Sequence, residues 1–346
     1  RSPSRGLGDV YKRQIIFPEY IKSSDNIEVN AIAENTFFVF SCGIFFIFFT
    51  YKIIFNKGDF MRYYKNFKDY ELLDMANGEK LEKWGKYILI RPDPQILWPQ
   101  KQNEALWKMA HARYIRSSSG GGHWEILKKL PNEWKINFED LTFNIKPMGF
   151  KHTGLFPEQA VNWKYMIDKI KGSKREVRVL NLFAYTGGAT VACAYAGASV
   201  CHVDSSSGMV AWAKENLKSS GLQDRKVRFL VDDVIKFLDR EIRRGNKYDA
   251  IIMDPPSYGR GKNGEVWNIE KDFYKLIQKC NILLSDSPLF LVINTYTGGF
   301  SSTVIKNVLD KAITKKIKNV ICDEIGILQK GTDTFLPCGN TTICEF

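Results

Sequence analysis

From about residue 161 onward, short apolar runs alternate with amphipathic stretches. The runs have the length of buried strands, and the amphipathic stretches carry apolar residues at helical spacing. Strands that alternate with helices in this way predict an α/β domain, with a parallel sheet covered by helices on both faces. The predicted strands are 177–183, 199–204, 226–233, 248–254 and 288–295, and the predicted helices are 187–198, 206–221, 234–245, 272–284 and 301–315.

The pattern is different between residues 61 and 156. Short alternating runs bounded by Pro, Gly, Asn and Asp predict strands, for example at 85–92 and within 124–147. Leu106, Met109 and Ala110 recur at helical spacing, which predicts one helix over 103–114. The region 61–156 is therefore expected to form a small β-rich module ahead of a second domain at 157–346.

Residues 1–60 resemble neither of these regions. Residues 1–14 read like the translated adapter sequence found at the ends of environmental sequence assemblies, and they are not expected to be part of the fold. Residues 36–55 are long enough to span a bilayer, with Lys52 as the charge inside them. Their Phe and Ile content, with hardly any Leu, Ala or Val, is typical of translated AT-rich DNA. A membrane anchor stays open, but the composition favours a non-native leader over 1–60.

Composition and charge narrow the function. The chain of 346 residues is 44% hydrophobic and 25% charged, as ordinary folded proteins are, and its formal net charge is +12. Such a charge favours an acidic partner, for example nucleic acid or an anionic membrane surface. The seven cysteines form no CxxC pair and no cluster with histidine, so neither a metal site nor a disulfide framework is expected. Reduced thiols fit a cytoplasmic protein.

Four successive predicted strands end in residues suited to ligand binding. Gly187 follows the first strand and allows a tight turn. Asp204 ends the second strand, where its carboxylate can accept hydrogen bonds from both hydroxyls of a ribose or cap the next helix. Asp233 ends the third, and Asp254 begins the sequence DPPSY after the fourth. Because ligands bind beyond the carboxyl ends of parallel strands, this order predicts one site at that edge of the sheet.

This order of motifs resembles that of the class I S-adenosylmethionine-dependent methyltransferases. NLFAYTGGAT, HVDSS, VDDVIKFL and DPPSYGRGK are similar to four successive motifs of the class. KHTGLFPEQAVNW, at 151–163, is similar to the entry segment of the large-subunit ribosomal RNA methyltransferases that modify cytosine C5 or guanine N7. The resemblance covers 61–346 and implies a Rossmann-like, doubly wound sheet of seven strands behind a small β-rich module.

The resemblance also implies S-adenosylmethionine as the cofactor and roles for individual residues. Asp204 would hold the ribose hydroxyls, Asp233 would accept from the adenine amine, and Phe156 would help close the entry side of the pocket. The implied cofactor-binding residues are Phe156, Gln159, Ala184, Tyr185, Thr186, Gly187, Asp204, Asp233 and Asp254. The implied catalytic residues are Asp254, Pro255, Pro256 and Tyr258.

Methyl transfer asks little of catalytic side chains, because the sulfonium is already an activated donor. The protein must align the acceptor atom with the methyl group and exclude water. In DPPSY the prolines fix the backbone, and the carbonyls after Asp254 can accept from an amine or a ring N–H. Tyr258 can stack on a flat base or cover the cofactor pocket. Arg260 and Lys262 fit either a phosphate-bearing substrate or a solvated loop.

The methylated atom is a separate question. Methylation of cytosine at C5 needs a cysteine that adds to the ring. The two places where RNA methyltransferases usually carry that cysteine read DPPSY and INTYTGG here, and neither contains one. Cys193 and Cys201 are expected in the core, Cys280 on a helix and Cys338 in a loop. A nitrogen of a ribosomal RNA base is the predicted target, and cytosine C5, a protein or a small molecule are the alternatives.

Overall fold

A computed structural model describes residues 61–118, 121–261 and 264–346, together with the backbone of 31–37 and 47–53. Arg1–Phe60 and Met61–Phe346 are two compact units. In the first, β1 (Ala31–Phe37) pairs with β2 (Ile47–Ile53) as an antiparallel hairpin. Residues 1–14 and 38–46 lie outside the described residues, so the assignment of 1–60 as a leader stays a prediction. Within the described part of the chain, no helix is both long and apolar enough to cross a bilayer.

Residues 61–145 form mostly strands, as their alternating pattern predicts. Five of these strands make one sheet in the order β4-β5-β6-β7-β8, and β9 and β10 form a separate hairpin. The strands are β3 (Met61–Arg62), β4 (Tyr70–Ala76), β5 (Glu79–Trp84), β6 (Tyr87–Pro92), β7 (Ala112–Arg116), β8 (Gly122–Ile126), β9 (Trp134–Phe138) and β10 (Leu141–Ile145).

The helix predicted over 103–114 is wrong in its length. The structure has only the short helix α1 (Glu104–Trp107) there, and β7 begins at Ala112. Pairing explains the difference, because Ala112 lies opposite Leu89 of β6 and both residues are fully buried. Burial in the sheet therefore outweighs the local helical spacing.

Residues 157–346 alternate strands and helices after a short 3₁₀ turn, Pro157–Gln159. The predicted elements of this region are confirmed, with ends that shift by a few residues. The helices are α2 (Ala160–Gly172), α3 (Gly188–Tyr195), α4 (Ser207–Ser219), α5 (Val234–Arg243), α6 (Ile269–Leu283) and α7 (Ser302–Ala312). The strands are β11 (Arg178–Leu182), β12 (Ser199–Asp204), β13 (Val227–Val231), β14 (Ala250–Met253), β15 (Tyr258–Arg260), β16 (Val266–Asn268), β17 (Phe290–Thr295), β18 (Asn319–Leu328) and β19 (Phe335–Glu345).

The main sheet has the order β13-β12-β11-β14-β17-β19-β18-β3. Its first five strands run parallel, and β19 is antiparallel to both of its neighbours. Seven of these strands make the predicted doubly wound sheet, and the two-residue β3 extends its edge. The chain order reverses between β11 and β14, and ligands bind beyond the carboxyl ends of strands at such a switch point.

The strands at the centre of the sheet are buried on both faces, which is why they read as continuous apolar runs. Val179 and Val292 pack on one face, in a core that includes residues of α2 and α3. Leu180 and Leu291 pack on the other face, in a core shared with α5, α6 and α7. Two covered faces leave the strand ends as the places where polar side chains can gather.

The β-rich module packs on the α2 side of the sheet. Phe138 of β9 and Phe143 of β10 lie against Trp163 of α2, with ring centroids 5.2 and 5.4 Å away. Trp212 of α4 donates a hydrogen bond from Nε1 to the carbonyl of Asn144, at 3.1 Å. These contacts join the module to the sheet, and the boundary at 156/157 stays a prediction.

Candidate cofactor and substrate cleft

The turn after β11 has an unusual backbone. Phe183, Tyr185 and Gly187 take left-handed conformations, with φ angles of 53°, 50° and 81°. Such angles are uncommon for residues other than glycine, and they cluster at functional sites. At Gly187 a side chain is also excluded by space, because an added Cβ would lie 2.8 Å from Cβ of Ala213. The sequence predicts a tight turn here, but not the two strained aromatic residues.

Asp204 is bonded to this turn. One carboxylate oxygen accepts from the backbone N–H of Tyr185 and the other from that of Ser206, both at 2.8 Å. Burial raises the pKa of Asp204, and the two N–H donors oppose that rise. Ser206 is the residue that caps α4, so the capping role considered for Asp204 is not observed. The carboxylate is thus fixed at the end of β12 and next to the turn.

Asp233 has a different environment. Strand β13 ends at Val231, and Asp233 caps α5 by accepting from the backbone N–H of Lys236 at 2.9 Å. A cap of this kind leaves the second carboxylate oxygen for other partners. The contact between Asp233 and an adenine amine stays a prediction.

A cavity of about 60 Å³ lies at the carboxyl edge of β11, β14 and β17. The predicted site residues that line it together are Phe156, Gln159, Ala184, Tyr185, Thr186 and Asp254. Its wall also contains residues that the sequence patterns did not single out, including Trp163, Asn181, Phe183 and Asn294. Gly187 and Asp204 adjoin this wall through the turn after β11.

A network of buried side-chain amides includes Gln159 and Asn294 of the cavity wall. The Asn162 Nδ2, an amide nitrogen with two N–H donors, lies 2.9 Å from Gln159 Oε1, 3.0 Å from Asn294 Oδ1 and 3.1 Å from Thr341 Oγ1. Gln159 in turn donates to the hydroxyl of Tyr296 at 2.7 Å. Besides Gln159, which was predicted as a site residue, the sequence held a signal for two of these residues. Asn162 lies within the entry segment at 151–163, and Asn294 is a polar residue near the end of a buried strand.

Asp254 follows β14 directly and is half-buried at the cavity wall. Desolvation raises the pKa of Asp254 to about 8, and the carboxyl of Glu158 contributes to the rise. Glu158 is only 7% exposed, and burial raises its pKa as well. At neutral pH the Asp254 carboxyl of the free protein is therefore mostly protonated and can donate a hydrogen bond.

The rest of DPPSY leads away from the cavity. Pro255 is buried and Pro256 exposed, and the Pro256 carbonyl accepts from Trp267 Nε1 at 2.6 Å. Tyr258 begins the hairpin of β15 and β16, is 52% exposed, and accepts from Arg260 Nε at 3.0 Å. Tyr258 is not among the residues that line the cavity. Lys262 lies outside the described residues.

Among the described residues, no cysteine lines the cavity or belongs to DPPSY. Cys193, Cys201 and Cys280 are buried on α3, β12 and α6, as predicted. The loop predicted for Cys338 is wrong, because this residue lies within β19, where the long hairpin with β18 extends the sheet. Burial, with Glu158 as the next cause, raises the pKa of Cys338 well above its ordinary value. A thiol with such a pKa is a weak nucleophile at neutral pH.

Comparison with known proteins agrees with this geometry. Relatives include ribosomal RNA large subunit methyltransferase K/L of Shewanella frigidimarina, 37% identical over 145 residues, which are 41% of this chain and 20% of that protein. Ribosomal RNA large subunit methyltransferase K of Neisseria meningitidis is 32% identical over 246 residues, which are 68% of this chain and 66% of that protein. The chain spans about a fifth of the length of the curated relatives that match it first.

Solved structures show the same fold. A SAM-dependent methyltransferase from Agrobacterium tumefaciens has a TM-score of 0.78 and 33% identity, over 82% of this chain and 93% of that one. A methyltransferase structure from Streptococcus mutans, at 19% identity, has a TM-score of 0.64 over 82% and 76% of the two chains, and shows the fold alone. The family model described as S-adenosylmethionine-dependent methyltransferase matches residues 71–309. Because that match covers more than half of the chain, the protein belongs to the S-adenosylmethionine-dependent methyltransferases.

Proposed function

We propose that this protein methylates a nitrogen of a ribosomal RNA base in the cytoplasm, with S-adenosylmethionine as the donor. The observation that carries the proposal is the single cleft in which the strained turn after β11 meets Asp254. The ribosomal RNA methyltransferases among its relatives support the substrate class. The positive net charge of +12 is consistent with that partner.

The residues of the cleft fit the two ends of the cofactor. Asp204 is a fixed carboxylate acceptor for ribose hydroxyls, and the turn at Ala184–Gly187 would surround the methionine part. A cavity of about 60 Å³ is far smaller than the roughly 300–1,000 Å³ of small-molecule sites. We therefore place the adenosyl part outside this cavity, toward the carboxyl ends of β12 and β13, where Asp204 and Asp233 lie. When bound, S-adenosylmethionine supplies an activated methyl group.

The chain's own residues position the base and exclude water. Phe156 lies between Tyr185 and Tyr296, with ring centroids 5.4 and 5.9 Å away, and these rings cover the cleft. Asp254, protonated or ionised, can bond to the polar edge of a base, and the Pro255 carbonyl can accept from an exocyclic amine. Tyr258, exposed on its hairpin, offers a ring on which the base can stack.

The position of the thiols supports a nitrogen target. Methylation at C5 of cytosine needs a thiolate that attacks the ring. Among the described residues, no cysteine lines the cavity, and burial raises the pKa of Cys193, Cys201, Cys280 and Cys344. A base nitrogen carries its own electron pair and needs no such group, because alignment with the methyl group is sufficient.

Transfer of a tritiated methyl group tests this function. The full chain is incubated with labelled S-adenosylmethionine and undermodified ribosomal RNA, and RNA and protein are counted separately. We expect label in the RNA, and a strong loss of label with the Asp204→Ala variant. Label that appears only in protein or in small molecules would contradict the proposal.

A further inference from the structure

A second cavity lies in the β-rich module, outside the cleft. It measures about 450 Å³, and its wall includes Arg116 at the end of β7 together with Phe150, Lys151 and His152. Ligand sites of small molecules usually measure about 300–1,000 Å³, so this cavity is large enough for one nucleotide. We call it the flank pocket.

The loop that forms one wall of the flank pocket is fixed by side-chain hydrogen bonds. Tyr114 of β7 donates to the carbonyl of Gly149 at 3.3 Å, and Trp124 of β8 donates to that of Met148 at 2.8 Å. Arg91 of β6 donates to the carbonyl of Lys151 at 3.2 Å. Three strands of the module thus hold the loop, and the pocket is part of the fold.

Arg91 itself is held by a buried ion pair. Its Nε and a terminal nitrogen donate to the two oxygens of Glu82, at 2.6 and 2.8 Å. Glu82 also accepts from the hydroxyl of Tyr70 at 2.7 Å. Because the Glu82 carboxylate is paired with Arg91 inside the module, it does not neutralise the cations at the flank pocket.

The flank pocket carries positive charge that no carboxylate balances. Within the described residues, neither Arg116 nor Lys151 forms an ion pair with a carboxylate, and Lys151 Nζ donates to the Pro92 carbonyl at 3.3 Å. Burial lowers the pKa of Lys151, and Lys80, Arg91 and Arg116 lower it further, with Asp93 acting in the opposite direction. Asp93 is 3.2 Å from Lys80 and is already paired. An anion in the pocket would relieve this repulsion.

The same charges act on His152. Burial lowers the pKa of His152 to about 4, and Arg91 and Lys151 contribute to the shift. The imidazole is therefore neutral at physiological pH and adds no charge to the pocket. Its ring lies 5.5 Å from that of Phe156, which belongs to the cleft.

Neighbouring aromatic rings link the flank pocket to the cleft. Phe156 connects them, because its ring contacts His152 on one side and Tyr296 on the other. Phe150 at the pocket is 65% exposed, which is unusual for a large apolar ring on a fixed loop. An exposed aromatic ring beside two cations that form no ion pair with a described carboxylate is a combination that can bind single-stranded nucleic acid, by stacking a base and contacting its phosphate.

We propose that the flank pocket binds a nucleotide next to the methylated base, with Arg116 and Lys151 on its phosphate and Phe150 stacked on its base. The inference rests on the proposed RNA substrate. It gives the β-rich module a direct part in binding single-stranded RNA. The pocket residues Phe150 and Lys151 are close in sequence to Phe156, which lines the cleft.

Charge reversal in the full-length protein tests the inference. The Arg116→Glu and Phe150→Ala variants change exposed side chains, and Lys129→Glu is the matched control, since it alters the same charge on an exposed residue beyond the other end of β8. RNA affinity is measured over a salt series with an unstructured ribosomal RNA fragment. We expect Arg116→Glu to weaken binding roughly ten- to a hundred-fold, and to lower the salt slope by about one contact. Phe150→Ala should weaken binding without changing that slope.

Two results separate this inference from the proposed function. If the wild-type chain binds and methylates RNA but Arg116→Glu and Phe150→Ala match the Lys129→Glu control, the flank pocket is not a nucleotide site. If the wild-type chain transfers no methyl group to RNA, yet these variants weaken RNA binding as expected, the proposed function fails and the pocket remains an RNA site. In either case the affinity for S-adenosylmethionine, measured by calorimetry, should equal that of the wild type.

Discussion

The two sides of the cleft differ in how the fold holds them. On the cofactor side, Asp204 and the turn after β11 are joined by backbone hydrogen bonds over a buried core. On the target side, Tyr258 is exposed on a short hairpin, and the preceding Ser257 is held by a hydroxyl contact with Thr297 at 2.6 Å and by a hydrogen bond from the Ile269 N–H at 3.1 Å. A donor of constant shape suits a rigid site, whereas a large folded RNA needs an exposed one.

The largest effect is expected at Asp204, on the cofactor side. Asp204→Ala removes the carboxylate acceptor for the ribose and releases the N–H groups of Tyr185 and Ser206. The loss of a charged hydrogen bond costs about 1.5–3 kcal/mol, so affinity for S-adenosylmethionine should fall roughly ten- to a hundred-fold. Calorimetry measures this, with Asp224→Ala as a control because Asp224 is an exposed carboxylate. Equal affinities in the two variants would remove Asp204 from the site.

A smaller effect is expected at Tyr258, on the reaction with RNA and not on cofactor affinity. Tyr258→Ala should lower kcat/KM on RNA by roughly five- to a hundred-fold, because a lost base stack costs about 1–3 kcal/mol. Cofactor affinity should not change, since the ring lies outside the cavity. Tyr274→Ala, which removes an exposed tyrosine of α6, is the control. A drop in cofactor affinity with Tyr258→Ala would mean that the two sides are not separate.

The pH dependence of stability should report Asp254. Its pKa is raised to about 8 in the folded protein from an ordinary value of 3.8. As pH rises from about 4 to about 8, the unfolded chain loses this proton before the folded one does, so stability falls over that window. Asp254→Asn removes this cost. The difference in melting temperature between this variant and the wild type should therefore grow by a few degrees in favour of the variant as the pH is raised. A difference that does not change with pH would argue against a raised pKa of Asp254.

The smallest effect is expected from removing residues 1–60. A chain that begins at Met61 should fold and bind S-adenosylmethionine as the full chain does, because Met61–Phe346 is a compact unit that contains the whole cleft. Circular dichroism and calorimetry of both chains check this. Aggregation of the shorter chain, together with detergent-dependent stability of the full chain, would favour the membrane anchor instead.

Much of the cofactor side could be predicted from the sequence. Gly187, Asp204 and Asp254 each follow a buried apolar strand, and parallel strands bring such ends to one edge. The amide network could not be predicted in full. Asn294 meets Thr341 only because β17 and β19 pair in a particular register, and that pairing joins residues far apart in the chain.

The flank pocket was also beyond sequence reasoning. It depends on the parallel pairing of β6 with β7, in a region where local spacing predicts a longer helix. In the sequence Arg116 belongs to no motif and Lys151 only begins the entry segment, and only the fold places them around one cavity. The flank pocket therefore depends on strand pairing between distant residues, which the local sequence pattern does not predict.

Nucleoside analysis of the methylated RNA tests the central claim most directly. Ribosomal RNA labelled by the full chain is digested to nucleosides, and the modified one is identified by mass spectrometry. Because no cysteine is among the described residues that line the cleft, we expect a methyl group on a base nitrogen, and no covalent adduct with RNA that contains 5-fluorocytosine. A 5-methylcytidine product, with an adduct that is lost in one cysteine-to-serine variant, would contradict the account.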